Sequence, residues 1–256
     1  MKQYVICFLF SILISCGIKN KRQNKIKILE LTSSGEVYAM KDKAIRNINN
    51  SFKIVFKKNL KIYVCLYIKL HLKNILDKNG QVINDKVVGA DTLYRFFVTR
   101  KGEKYGLKYN LETFETEKGT YFSVDSLLSD LLIGPADLKH FDTDLGKPTY
   151  VQKKGKVIVE AFAVHQSNLD TIYRYYDSDL MDFDFSFSKR LDEQKKSKLF
   201  KTIFVFNSIS KGSGISNPEI PRTEIFYEIN KVKDKNVEKY EKIFNKYEKE
   251  VLDSKL

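Results

Sequence analysis

The chain has 256 residues, 43% of them hydrophobic, enough apolar material for one large domain or two small ones and too much for global disorder. It contains 18 Phe and 15 Tyr without Trp, and its formal charge of +13 is carried overwhelmingly by Lys rather than Arg. Arg is the residue suited to bidentate phosphate contacts, so no nucleic-acid partner is expected.

Met1, Lys2 and Gln3 form a short basic start, Tyr4 to Ile14 is an uncharged apolar run, and Ser15-Cys16-Gly17 follows. A helix needs roughly 20 apolar residues to cross a bilayer, so this run is too short for a span and has the size of a signal-peptide h-region. Leu13-Ile14-Ser15-Cys16 resembles the lipobox of bacterial lipoprotein signal peptides. That resemblance covers residues 1–17 and names no family for the rest. It implies cleavage between Ser15 and Cys16, diacylglycerol on the Cys16 sulfur, and acylation of the new amino terminus with a palmitate-like chain. Two or more acyl chains make a durable membrane anchor where one is marginal. Residues 1–15 are then a signal peptide, 16–27 a lipidated N-terminus and polar tether, and 28–256 the folded part. The implied location is the cell envelope. Gly17 rather than Asp after the cysteine points, by the sorting habits of such lipoproteins, to the outer membrane. Cys7 leaves with the signal peptide and Cys16 carries lipid, so Cys65 remains as a lone, half-buried thiol with no internal disulfide.

Further along, "SFKIVFKKN" reads as the hairpin partner of "LKIYVCLYIKLHL". In the latter, Leu60, Ile62, Val64, Leu66, Ile68, Leu70 and Leu72 alternate with Lys61, Tyr63, Cys65, Tyr67, Lys69 and His71. Successive strand side chains point to opposite faces, which predicts one aliphatic face and one wet face of Tyr and Lys. "TLYRFFVTRKGEKYGLKYN" predicts a hairpin turning at Lys101-Gly102-Glu103. "SVDSLLSDLLIGP" predicts a helix with Val124, Leu127, Leu128, Leu131 and Leu132 on one face, Ser123 as cap and Gly134-Pro135 as stop. "GPADLKHFDTDLGKPTY" marks a candidate lobe boundary near 134–150. A second hairpin follows in "KVIVEAFAVHQSNLDTIYRYYD", turning near Ser167-Asn168. "DFDFSFS" alternates Phe183, Phe185 and Phe187 and predicts a strand. The polar stretch Ser188 to Lys198 is a long connection or a short solvated helix. "LFKTIFVFNSI" and "RTEIFYEINKV" are strands flanking the loop "SKGSGISNPEIP". Val237, Tyr240, Phe244, Tyr247 and Val251 form the apolar stripe of a C-terminal helix, on which Glu238 precedes Lys242 by one turn. The expected fold is α+β: a large twisted antiparallel sheet, on the scale of a half-barrel, with a short mid-chain helix and a C-terminal amphipathic helix.

Candidate chemistry is sparse. His71 and His165 fall in strand patterns. His140, Asp142 and Asp144 alternate before Gly146 and are weak candidates for a metal site, because no second His or Cys lies near in sequence. Asp177 and Asp179 could enter a loose calcium site, but Phe187 occupies the position at which an EF-hand loop beginning at Asp182 needs Gly. No G-x-S-x-G elbow or phosphate-binding Gly loop is present, and no cofactor is called for. The expectation is a lipid-anchored, non-catalytic binding or structural module that meets a protein, lipid or polysaccharide partner. Tyr63 and Tyr67 are candidate contacts. Two alternatives stand beside it: an envelope hydrolase using carboxylate or metal chemistry, and a carrier of an apolar ligand in a cupped sheet.

Overall fold

A computed structural model describes residues 25–39, 44–76, 78–79, 81–166, 168–208 and 221–253. The expected signal peptide, Cys16 and most of the expected tether lie outside the described residues, as does nearly all of the Gly/Ser/Pro loop.

Eleven strands and four helices make up the described chain. The first six strands are β1 (Lys27–Ala39), β2 (Ala44–Lys57), β3 (Leu60–Leu76), β4 (Val82–Arg100), β5 (Tyr105–Asn110) and β6 (Thr120–Ser123). Helices α1 (Val124–Asp130) and α2 (Pro135–Leu138) follow, with a 3-10 turn at Lys139–Asp142. Next come β7 (Tyr150–Lys154), β8 (Val157–Gln166), β9 (Leu169–Asp177), a 3-10 turn at Ser178–Leu180 and α3 (Lys189–Lys195). The chain finishes with β10 (Lys198–Phe206), β11 (Thr223–Val232) and α4 (Val237–Asp253). The ladder order is β6-β5-β4-β3-β2-β1-β11-β10-β9-β8-β7, open at both ends. The α+β expectation therefore holds: a large, mostly antiparallel, unclosed sheet with a short mid-chain helix and a C-terminal one.

The chain divides into two compact units. The first takes the described residues up to Ile28, Ile54–Phe122 and those from Lys233 onward; the second takes Leu29–Lys53 and Ser123–Val232, which includes the segment 134–150.

In the first unit, Ile54, Val55, Ile62, Phe96 and Val98 are fully buried, and so are Ile243, Phe244 and Tyr247 of α4. Burial of such a side chain contributes roughly 1.5–3 kcal/mol before ordering costs are subtracted. Tyr240, Phe244 and Tyr247 of the stripe read from the sequence are buried, joined by Ile243, which that reading left out, while Val237 is exposed. The edges of the helix are fixed by polar contacts: Lys57 pairs with Glu241, and Tyr109 Oη donates to Glu250 Oε2 at 3.2 Å. Gly102, at φ 84°, makes the β4–β5 turn. Tyr63 is buried rather than wet. Its cross-strand partner is Phe97, whose ring meets that of Phe122 edge-on at 5.1 Å, so this face of the sheet is covered too.

In the second unit an aromatic cluster gathers around Phe141, which stacks on Phe187 at 4.7 Å and meets Tyr227 edge-on at 5.3 Å. This explains a failed expectation. The alternation of Phe183, Phe185 and Phe187 is not a strand: the segment leads from the 3-10 turn at Ser178–Leu180 into α3. Phe183 and Phe187 are buried as plugs. Ser188 caps α3 by accepting from Leu191 N at 3.1 Å. Helix α1 is capped by Ser123, which accepts from Ser126 N at 3.4 Å, but it stops before the expected Gly134. Leu132 turns left-handed at φ 57°, with Leu132 N donating to Ser129 O and Ile133 N to Leu128 O, both at 2.9 Å. That reversal buries Ile133 and leaves Leu132 exposed.

Candidate functional site

The clearest feature outside a packed core is the far end of the β3–β4 hairpin. These strands stay paired from Leu60–Arg100 to Leu76–Val82, whereas β5 flanks β4 only from Arg95 to Val98. Within β3, Leu60, Ile62 and Val64 are buried, yet the next four residues of the same face are not: Leu66, Ile68, Leu70 and Leu72 are 51%, 55%, 52% and 53% exposed. Across the ladder they face Tyr94, Thr92, Ala90 and Val87. A bulge between His71–Gly89 and Leu72–Val87 leaves Val88 as the extra residue, and Val87 and Val88 are also exposed. The result is a β-arm with one continuous apolar face in water. Scattered exposed leucines are ordinary, whereas a contiguous strip of this kind is uncommon on a protein surface.

The opposite face of the arm is polar. The Arg95 guanidinium stacks over the Tyr67 ring at 4.0 Å. Lys69 stands opposite Asp91, and Asp91 Oδ2 lies 2.7 Å from His71 Nε2. Lys73 stands directly opposite Lys86, a like-charge pairing that disfavours the ladder at that point. Cys65 marks the junction between core and arm. Burial pushes its thiol up to about 12, with Arg95 pulling the other way, so it stays protonated and a poor nucleophile.

Two surface clefts lie in the same unit. One of about 290 Å³, at the root of the arm, is lined by Tyr67, Leu93, Arg95, Asn110 and Leu111. Another of about 390 Å³ lies beside the start of α4, against Leu111, Phe114, Lys235, Lys239 and Lys242. Among the described residues the second unit also shows a cavity of about 30 Å³ against Leu31, Asn50, Ile133, Phe187 and Tyr227. That is the size of a water, not of an acyl chain.

The other residues singled out in the sequence fall as follows. His140 sits in the 3-10 turn at Lys139–Asp142. Asp142 accepts from Ser188 Oγ, and its carbonyl accepts from Arg190 at 2.6 Å. Asp144 accepts from Gly146 N at 3.0 Å, a loop turn. Asp177 caps Asp179 N at 2.8 Å, and Asp179 pairs with Lys156 at 2.8 Å. Among the described residues no group of three or more His, Cys, Asp or Glu side chains could hold a metal ion, and no helix is long and apolar enough to cross a membrane. Tyr67 does lie in the wet position expected of it; Tyr63 does not. The arm itself was hidden in the sequence, because alternation tells which residues share a face and not whether anything covers it. The chain matches no protein-family model and no curated protein.

Proposed function

We propose that this chain is a cell-envelope lipoprotein, anchored through lipid on Cys16, that works as a non-catalytic binding module and rests the apolar face of its β3–β4 arm on a bilayer. The carrying observation is the exposure of Leu66, Ile68, Leu70 and Leu72 along one face. Two features favour a lipid surface as the occupant. The lipobox puts a membrane within a short tether of the body: from Cys16 to Lys27, where β1 begins, the chain reaches at most about 40 Å. The chain's net charge of +13 adds attraction to anionic headgroups. Outer-membrane residence remains part of the same proposal, on Gly17.

Vesicle flotation tests the arm independently of the anchor. A chain begun at residue 17, without the h-region or lipid, is mixed with phosphatidylglycerol-containing vesicles. It is expected to float with them, and the Ile68→Glu/Leu70→Glu variant to stay behind. Equal flotation of both, or concentration-dependent dimerisation with no flotation, assigns the arm to another occupant.

A further inference from the structure

The apolar strip of the arm lies on the face of the sheet that α4 covers. Phe96 and Tyr109 are cross-strand partners on that face, and α4 reaches both. Tyr109 donates to Glu250 near the helix end, and the Lys239 ammonium lies 4.8 Å over the Phe96 ring near its start. The same ammonium lies 5.3 Å over the ring of Tyr94. Tyr94 is the cross-strand partner of Leu66, the first exposed leucine of the strip. Helix cover therefore ends where exposed apolar surface begins, and a lysine stands at the border.

The cleft of about 390 Å³ beside the start of α4 lies at this border. Lys239 lines it, as does Leu111, whose amide donates to the Tyr94 carbonyl at 3.1 Å. Its volume falls in the range of small-ligand sites. Leu111, Phe114 and Ile243 give it an apolar wall, while Lys235, Lys239 and Lys242 face Glu115 and Glu238 across its polar part. Glu238 reaches Lys242 only at 3.9 Å and is 86% exposed, so water screens that pair. Three ammonium groups against two carboxylates leave one positive charge among the described residues lining the cleft.

This chemistry narrows the ligand. The net positive charge disfavours a cation, and a free inorganic anion would leave the apolar wall unused. A phospholipid joins a singly charged phosphodiester to glycerol and acyl chains, and so meets both parts. Lysine binds phosphate as a compact point charge with three donors, and lysine clusters beside a membrane draw anionic headgroups.

We propose that the cleft is a binding site for the phosphodiester of one anionic phospholipid, its glycerol against Leu111 and Phe114 and its acyl chains passing onto the exposed strip. This rests on the bilayer reading of the arm and adds to it a fixed headgroup site, which makes the contact selective for lipid charge.

Native mass spectrometry of the full chain, released from detergent with equimolar phosphatidylglycerol and diacylglycerol, tests the site. Wild type is expected to retain one phosphatidylglycerol in preference to the phosphate-free lipid. Lys235 and Lys242 are exposed, and Lys235→Gln/Lys242→Gln is expected to weaken that retention about tenfold. Lys153→Gln/Lys154→Gln removes the same charge from exposed positions of β7 in the second unit and is expected to behave as wild type. Unchanged retention in the first variant, or equal loss in both, overturns the proposal. Flotation of Ile68→Glu/Leu70→Glu reads the arm separately. A difference in flotation without lysine-dependent retention removes the headgroup site alone; lysine-dependent retention without flotation removes the bilayer reading alone.

Discussion

The hydroxyl of Tyr247 donates to Glu103 Oε2 at 3.0 Å, tying the last helix to the Gly102 turn across 144 residues of sequence. Like Tyr109, Tyr176 and Tyr240, it is a buried phenol whose pKa lies well above the ordinary tyrosine range, in each case through burial first. A phenol that keeps its proton in the native state while the unfolded chain ionises near pH 10 favours folding only below that pH. Stability is therefore expected to be full below about pH 10 and to fall as pH rises toward the native values. Melting temperature followed by circular dichroism through that range checks the sign. Tyr247→Phe is expected to cost about 1 kcal/mol at neutral pH and to soften the alkaline fall.

Ile62 and Leu70 lie on one face of one strand and should respond oppositely to substitution. Ile62 is fully buried, and Ile62→Ala is expected to cost about 2–5 kcal/mol. Leu70 is half-exposed, and Leu70→Gln is expected to stay within about 0.5 kcal/mol of wild type. Urea denaturation of both variants reads the contrast, and a large loss in Leu70→Gln means that the arm is packed against something.

Asp192 is a buried junction in the second unit. It accepts from Ser186 Oγ at 2.6 Å and Leu199 N at 2.7 Å and pairs with the buried Lys198 at 3.1 Å. Asp192→Ala strands that ammonium and is expected to cost about 3–5 kcal/mol. Removing both charges together, as Asp192→Asn/Lys198→Met, is expected to recover part of the loss in a thermal melt.

Cys65 should be a slow thiol. With its pKa raised to about 12 by burial, little thiolate exists at pH 8. Its reaction with a chromogenic disulfide is expected to be slower in the native protein than in guanidinium, and equal rates remove the claim.

Cys16 carries the anchor prediction. Labelled palmitate is expected to enter the wild-type chain in a bacterial host and not Cys16→Ala; equal labelling would falsify the lipobox reading.

The sheet was largely legible because its strands alternate strongly, and the hairpin at Gly102 because glycine supplies the turn. β1 was harder to see. Its buried residues Ile28, Leu29 and Leu31 include adjacent positions, and Ser33-Ser34-Gly35 dilutes its centre. Gly35 itself is required by close approach: a Cβ there would sit 2.5 Å from the carbonyl oxygen of Glu224. The phenylalanines at 183–187 misled for the converse reason. A period of two suits a half-buried strand but is also what a looping segment shows when it drops alternate rings into an aromatic pocket. The cleft beside α4 left no signal, since Leu111 and Lys239, far apart in sequence, become neighbours only through the fold.

β1 lies between β2 and β11 in the ladder, and this sets a timetable for assembly. β1 is complete on one side as soon as β2 emerges, but its other edge waits for Thr223–Val232. Until β11 exists, a row of unpaired backbone groups stays open to any extended segment nearby. A chain of this topology, released from synthesis, must be shielded along β1 until β11 arrives.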